Sequence, residues 1–213
     1  MSPKNTDTEP NDWIRESLLV YVLSDDKRIS LGLKKIPEMV TVELVSGLAK
    51  NAVWLAEHDF PVTVFDPHDE SLARSRELAK RRGVNINVRR GDHTKAARPE
   101  DAWAGMADLV VTSFFHVATT EQPVLFDGLR NLTAPGGLVL AEWCHPDQGR
   151  NRSALSALVE SSEMVDPKDL RSAFPRWNIL VCRRMVRDVD EGLYNARGVI
   201  TTQFAAQKPF NSR

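Results

Sequence analysis

The sequence has little cysteine, almost no excess charge and no long apolar run, and each shortage excludes a class of protein. Two cysteines, Cys144 and Cys182, occur among 213 residues, at a spacing that gives no zinc motif and allows at most one disulfide. The net charge of −1 provides no basic field for nucleic acid. Two short basic clusters, 80–82 and 89–90, are typical of a solvated surface. We therefore expect no metal site, reduced cysteines and no nucleic-acid partner.

Membrane and export signals are missing as well. The first twelve residues are polar, with neither the apolar core of a signal peptide nor the arginine-rich pattern of a transit peptide. The longest early apolar run, residues 18–23, is too short to cross a bilayer. The sequence predicts a cytoplasmic protein that does not contact membranes, with an organelle as the open alternative.

The glycine-rich loop that cradles a pyrophosphate is also absent. Residues 41–66 read as strand, tight turn, helix and strand, which is how nucleotide-binding α/β proteins begin. The turn, however, holds a single glycine, Gly47, instead of the G-x-G-x-x-G pattern. This weighs against NAD or FAD, whereas a nucleoside ligand without phosphates would not need the loop.

A regular alternation of strand and helix runs through the middle of the chain. Apolar, β-branched segments predict strands, and the segments between them have helical composition. The predicted strands are 39–44, 61–65, 84–88, 107–112 and 138–143, and the predicted helices are 49–58, 69–82 and 121–132. Because parallel strands need crossover helices, this order predicts an α/β fold with a doubly wound, mostly parallel sheet.

The two ends of the chain have a different style. Runs 178–189 and 198–207 flank a turn and predict an antiparallel hairpin at the sheet edge. Residues 1–16 are interpreted as a flexible lead-in, and 17–213 as a single domain. Residues 17–35 hold two β-prone runs around a turn, which favours a hairpin first and a helix second.

Polar residues stand at the ends of successive predicted strands, where doubly wound sheets bind their ligands. They are Glu43, Asp66, Asp92 and Ser113. A carboxylate after the second strand can accept both hydroxyls of a ribose. The alternative is that Asp66 and Asp92 cap the elements that follow them. We favour a ligand, because both acids follow predicted strands.

These motifs, in their order and spacing, resemble the class I S-adenosylmethionine-dependent methyltransferases, and in particular the tellurite-resistance and thiopurine-like branch. The resemblance covers nearly the whole chain except residues 14–40. The segments that carry it are the T-E-P-N run at 8–13, the first motif at 43–56, Val64-Phe65-Asp66, Gly91-Asp92, Pro135-Gly136-Gly137 and the C-terminal motif at 187–192 with Gly198 and Lys208-Pro209.

The resemblance implies a seven-stranded Rossmann-like sheet, S-adenosylmethionine as cofactor and a small-molecule acceptor. It implies that Glu43 orients the methionine ammonium, that Gly47 lets the backbone approach the cofactor, and that Asp66 holds the ribose hydroxyls. It further implies that Asp92 accepts from the adenine amino group and that Ser113 lies on the wall near the methyl group.

The sequence departs from this family mainly in the first motif. Val45 and Ala49 stand where the family usually has glycine, and glycine there serves close approach and unusual backbone angles. No catalytic triad is evident, and His116, after the fourth strand, is the candidate base. Its alternative is a polar residue at a strand exit. The Cys144-His145 pair lacks further ligands at metal spacing and is interpreted as part of a loop.

Three functions remain open from the sequence. The first is methyl transfer to a small molecule, such as a thiol or another chalcogen compound. The second is an inactive methyltransferase fold that serves as a structural or regulatory subunit and therefore binds protein partners. The third, a nicotinamide-binding protein, is disfavoured by the missing glycines and by the C-terminal hairpin.

Overall fold

The computed structural model describes residues 9–44, 49–91, 103–150, 163–191 and 194–210. The helices in these ranges are α1 (Asp12–Tyr21), α2 (Asp25–Ser30), α3 (Lys50–Glu57), α4 (Asp69–Arg82), α5 (Gln122–Leu132) and α6 (Pro167–Ala173). The strands are β1 (Thr41–Leu44), β2 (Val62–Asp66), β3 (Asn87–Arg90), β4 (Ala107–Ser113), β5 (Thr133–Cys144), β6 (Asn178–Glu191) and β7 (Tyr194–Gln207). Short 3₁₀ turns cover Ile36–Glu38 and Pro146–Arg150.

The described strands form one seven-stranded sheet with the order β3-β2-β1-β4-β5-β7-β6. The pairs from β3 to β5 are parallel, whereas β7 runs antiparallel to both β5 and β6. From β1 the chain proceeds through β2 to β3 at one edge and then returns to β4 on the other side of β1, which places a switch point between β1 and β4. The predicted doubly wound sheet and the C-terminal hairpin are therefore confirmed.

Helices cover both faces of the sheet. On one face, α5 and α6 bury Leu125 and Leu170 against Val110 and Val139. On the other face, α1 and α3 pack onto the sheet, and we call this the α1 face. Its core contains Ile14, Leu18, Leu55, Val111 and Leu140. Because side chains alternate along each strand, β4 and β5 contribute to both cores, and this explains their nearly continuous apolar sequence.

The predicted hairpin at 17–35 is wrong, and the helix that was its alternative is correct. Asn11 caps the start of α1, and its side chain accepts a hydrogen bond from the Ile14 backbone N–H at 2.9 Å. Trp13, Ile14 and Leu18 have helical spacing and are buried, so their packing outweighs the β propensity of the region.

The boundary predicted between residues 16 and 17 falls inside α1. Trp13 is 6% exposed and Ile14 is fully buried. Residues 12–16 therefore belong to the folded domain, because the apolar side of α1 that they form is part of its core.

Other predicted boundaries move by a few residues. Helix α4 covers the predicted range 69–82, follows His68 and ends at Gly83 in the left-handed conformation. The Pro135-Gly136-Gly137 turn lies within β5, at a register shift against β4, instead of separating α5 from the strand. Helix α6 was not predicted. No helix in the described ranges is long and apolar enough to cross a membrane.

Ala49 precedes α3 and has φ 51° and ψ 36°, in the left-handed region. Only glycine adopts this conformation at little cost, so Ala49 is strained by roughly 1 kcal/mol. The departure from glycine at position 49 therefore has a direct backbone consequence. Val45 lies outside the described residues.

We predict that Ala49→Gly increases the free energy of unfolding by up to about 1 kcal/mol, because glycine relieves the left-handed strain. Chemical denaturation measures the change. The matched control is Ala73→Gly, on the exposed side of α4, which should lower the free energy of unfolding by about 1 kcal/mol. Equal destabilisation by both substitutions would contradict the strain at Ala49.

Candidate functional site

A row of polar side chains crosses the α1 face at the carboxyl ends of four neighbouring strands. Glu43 of β1 pairs with Val64 of β2 and Val111 of β4. Asp66 and Ser113 lie two residues beyond those partners, so their side chains are on the same face as Glu43. Ser113 in turn pairs with Glu142 of β5. This edge is where doubly wound sheets bind their ligands.

The carboxylate of Glu43 is 1% exposed and is held by the first turn of α3. Its Oε1 accepts from Asn51 Nδ2 at 2.9 Å, and its Oε2 accepts from the Ala52 backbone N–H at 2.9 Å. Asn51 Nδ2 also donates to Ser113 Oγ at 3.0 Å. The Asn51 amide thus connects Glu43 and Ser113, which belong to different strands.

Burial raises the pKa of Glu43 to about 7, against an ordinary value of 4.5. The hydrogen bonds from Asn51 and Ala52 and the charge of Lys50 lower the pKa, and the nearby charge of Asp66 raises it, but burial is the largest effect. Near neutral pH, Glu43 therefore exchanges a proton and favours a cationic group beside it.

Asp66 ends β2 and is also 1% exposed. Its Oδ1 accepts from the His68 backbone N–H at 2.8 Å, as expected for the capping alternative. The electrostatic coupling of Asp66 to Glu43 shows that the two acids share one region. A carboxylate has about four acceptor positions, so this hydrogen bond does not preclude a ligand.

His116 lies on the segment after β4, and its side chain is 29% exposed. Its Nδ1 is 3.6 Å from Glu163 Oε2. Burial lowers the pKa of His116 below 6.5, although Glu163 acts in the opposite direction. The imidazole is therefore neutral at pH 7 and can accept a proton.

Two predicted ligands, Gly47 and Asp92, lie outside the described residues.

Cys144 is the last residue of β5 and not part of a loop, because Val165 N–H binds its carbonyl and the strand pairs with β7 there. Burial raises the pKa of its thiol to about 12, which makes it a poor nucleophile. Within the described ranges, no group of three His, Cys, Asp or Glu side chains could hold a metal ion.

The sequence reasoning missed a buried ion pair at the end of β5. Glu142 is fully buried and receives Arg187 Nε at 2.9 Å and Arg187 Nη2. Gln203 Nε2 donates to Glu142 at 3.1 Å and Asn11 Nδ2 at 2.8 Å. The carboxylate thus receives four donors from three elements. An acid ending a further predicted strand was the available signal for Glu142.

Asn11 and Asn51 are also site residues that were not singled out, although both lie in the motifs quoted above. The Asn11 backbone N–H donates to Asn51 Oδ1 at 2.9 Å. Through these two residues, the Glu43 cluster is connected to the Glu142–Arg187 pair. We call the connected set Glu43, Ser113, Asn51, Asn11, Glu142, Arg187 and Gln203 the strand-end network.

Comparisons with known proteins agree with this geometry. Residues 42–137 match a family model described as a methyltransferase domain. The fold is similar to that of a protein studied for the conversion of a disulfide bond into a thioacetal group during echinomycin biosynthesis, at 16% identity and a TM-score of 0.70, covering 97% of this chain and 84% of that one.

Two further structures are similar. One is an S-adenosylmethionine-dependent methyltransferase from Methanosarcina mazei, at 14% identity and a TM-score of 0.66, covering 86% of this chain and 98% of that one. The other is TehB from Haemophilus influenzae, at 17% identity and a TM-score of 0.62, covering 80% of this chain and 58% of that one. The chain therefore matches a methyltransferase-domain model over residues 42–137, and its fold is similar to that of solved S-adenosylmethionine-dependent methyltransferases.

Proposed function

We propose that the protein binds S-adenosylmethionine at the strand ends and transfers its methyl group to a small molecule, such as a thiol or another chalcogen compound. One observation carries the proposal. Glu43 and Asp66 are buried carboxylates on one face, at the ends of adjacent strands. The family resemblance gives these positions to the methionine ammonium and to the ribose hydroxyls.

The chemistry of these side chains fits the cofactor. Glu43, with its pKa raised to about 7, gains from a cationic group such as an ammonium, which replaces the proton as its counter-charge. Asp66 offers carboxylate oxygens that accept from vicinal hydroxyls. Ser113, which accepts a hydrogen bond from Asn51, adds a neutral hydroxyl to the same face.

S-adenosylmethionine, when bound, supplies a methyl group that is already activated on a sulfonium. The protein contributes placement, and well-oriented reactants gain up to about 7–11 kcal/mol. His116 is the group that takes the acceptor's proton, because its neutral imidazole lies on the segment after β4. A thiol suits this site because the neutral imidazole of His116 can take its proton and leave a thiolate, which is a soft nucleophile. The echinomycin neighbour, which is described by chemistry at a disulfide, supports a sulfur acceptor.

A second candidate is an inactive methyltransferase fold that serves as a subunit of a larger assembly. Two observations favour it. Ala49 holds a left-handed conformation at a position where the family usually has glycine. Glu142, which pairs with Ser113 in the sheet, is already bound by Arg187. In this case the partners are proteins, and the native size of the protein in cell extract would exceed that of a monomer.

We predict that S-adenosylmethionine binds with micromolar affinity and that Asp66→Asn weakens binding roughly 10- to 100-fold, since a hydrogen bond to a charged group is lost. The asparagine retains an oxygen for the His68 backbone N–H, so the fold is preserved. Calorimetric titration with the cofactor and with its demethylated product measures the change.

The matched control for this titration is Asp69→Asn. Asp69 is an exposed acid of α4 whose ion pair with Arg90 is 3.4 Å long. Its substitution should leave the affinity unchanged. Absence of binding at millimolar cofactor would reject the methyl-transfer proposal and favour the subunit.

The affinity for S-adenosylmethionine should rise about tenfold between pH 6 and pH 8. Glu43 holds a proton below its pKa of about 7, and that proton must leave before a cation binds. Glu43→Gln should bind weakly and show a flat profile over this range. A profile that is equally steep in Glu43→Gln would assign the proton to another group.

His116→Gln should lower turnover with a small thiol roughly 100-fold while the cofactor affinity stays the same, because a base acts only on the reacting acceptor. Formation of the demethylated cofactor measures turnover. His58→Gln is the control, since His58 lies at the end of α3 and bonds the Trp54 carbonyl. Unchanged turnover in His116→Gln would exclude His116 as the base.

A further inference from the structure

The hydrogen bonds of Asn11 reach three different parts of the fold. Its backbone N–H donates to Asn51 Oδ1 at 2.9 Å, and its Oδ1 accepts from the Ile14 N–H at 2.9 Å. Its Nδ2 donates to Glu142 Oε2 at 2.8 Å. The residue is 2% exposed. The start of α1 is thereby anchored to α3 on one side and to β5 on the other.

The amide of Asn51 can act in only one orientation. Its Nδ2 uses both hydrogens, one toward Glu43 Oε1 at 2.9 Å and one toward Ser113 Oγ at 3.0 Å. The reversed amide would direct its oxygen at the Glu43 carboxylate, which is an acceptor when ionised. The backbone N–H of Asn11 satisfies the oxygen end and so stabilises the orientation that Glu43 needs.

We propose that Asn11 is a positioning residue. Its hydrogen bond to Glu142 of β5 holds it against the sheet. There it fixes the Asn51 amide and, through that amide, the Glu43 carboxylate. The start of α1 is then part of the cofactor site although it does not need to touch the cofactor. This consequence for the cofactor rests on the proposed function, whereas the positioning of Glu43 does not.

The charge of Glu43 is the property that Asn11 controls. The hydrogen bond from Asn51 lowers the pKa of Glu43 and opposes the effect of burial. The other charged groups that act on Glu43 are Lys50 of α3, which lowers the pKa, and Asp66 of β2, which raises it. Ser113 of β4 is neutral. If Asn11 loosens, the Asn51 amide loses its fixed orientation and Glu43 keeps its proton to higher pH.

On the β5 side, Asn11 is held by a carboxylate whose charge is neutralised. Glu142 is bound by Arg187, so the pair presents no net charge to the start of α1. Asn11 is thus held by a hydrogen bond and not by long-range attraction. A neutral substitution that keeps a capping oxygen but lacks Nδ2 tests this anchor without changing the charge of the site.

The substitution is Asn11→Ser. Serine caps helices about as well as asparagine, so α1 keeps its cap, but its short side chain does not reach Glu142. Asn11→Gly, also tolerated before a helix, serves as a second variant if the first is too unstable. Asn87→Ser is the control, because Asn87 lies on the edge strand β3, away from the network.

The measurement is the free energy of unfolding in urea between pH 4.5 and 8.5, without cofactor, for each protein with and without Glu43→Gln. The difference between the two free energies at each pH gives the contribution of Glu43 to stability. Because its folded pKa is raised, the folded state binds the proton more tightly, so stability falls as the pH rises from 4.5 and levels off near 7. Asn11→Ser should move the levelling point up by about half a pH unit or more. An unchanged levelling point would overturn the proposal.

A double variant tests whether Asn11 acts through Asn51. Asn51→Leu removes the donor directly and should move the levelling point up by itself. Adding Asn11→Ser to Asn51→Leu should then give no further shift, since coupled residues are not additive. A further shift of the same size in the double variant would show that Asn11 acts independently of Asn51 and would also overturn the proposal.

Titration with S-adenosylmethionine separates this proposal from the proposed function. If wild-type protein binds no cofactor, the proposed function fails, but the unfolding experiment still decides the role of Asn11. If it binds, Asn11→Ser should weaken affinity about twofold at pH 7, and the two affinities should converge above pH 8.5. Equal weakening at every pH would mean that Asn11 is merely structural.

Discussion

The burial of the Glu43 carboxylate is the constraint on which the strand-end architecture depends. An ionised carboxylate removed from water costs several kcal/mol unless donors replace its hydration. The first turn of α3 provides two donors, the Ala52 backbone N–H and the Asn51 amide. Helix N-termini also carry a partial positive charge, which favours an acid at this position. Helix α3 must therefore begin where its first turn reaches Glu43, and the residue before it, Ala49, is strained.

The same constraint extends across the sheet to the C-terminal hairpin. Asn51 requires a donor for its oxygen, Asn11 provides it, and Asn11 is anchored to Glu142. Glu142 in turn depends on Arg187 of β6 and Gln203 of β7. Removing one partner from a buried ion pair costs about 3–5 kcal/mol, so the hairpin stabilises the site as well as the sheet edge. An antiparallel end to a parallel sheet thus supplies the counter-charge for a strand-end acid.

The sequence predicted the parallel core well because buried strands leave a simple signal. Runs such as 62–66 and 107–113 are mainly apolar and nearly all buried, and helical segments separate them. The hairpin predicted at 17–35 was wrong because local β propensity is weak compared with the burial of Trp13, Ile14 and Leu18 at helical spacing. Helix α6 was missed because its seven residues are too few to show a clear apolar period.

The sequence by itself determined which polar residues end the strands, and alternation then put Glu43, Asp66 and Ser113 on one face. It could not determine which side chains hold them. Asn11 and Glu142 are separated by 131 positions in the chain and meet at 2.8 Å only after the sheet has assembled. A hydrogen bond depends on distances of about 3 Å and on direction, and neither is encoded in spacing along the chain. The tertiary structure alone therefore decided that a carboxylate at the end of β1 is controlled by the first turn of α3 and by the start of α1.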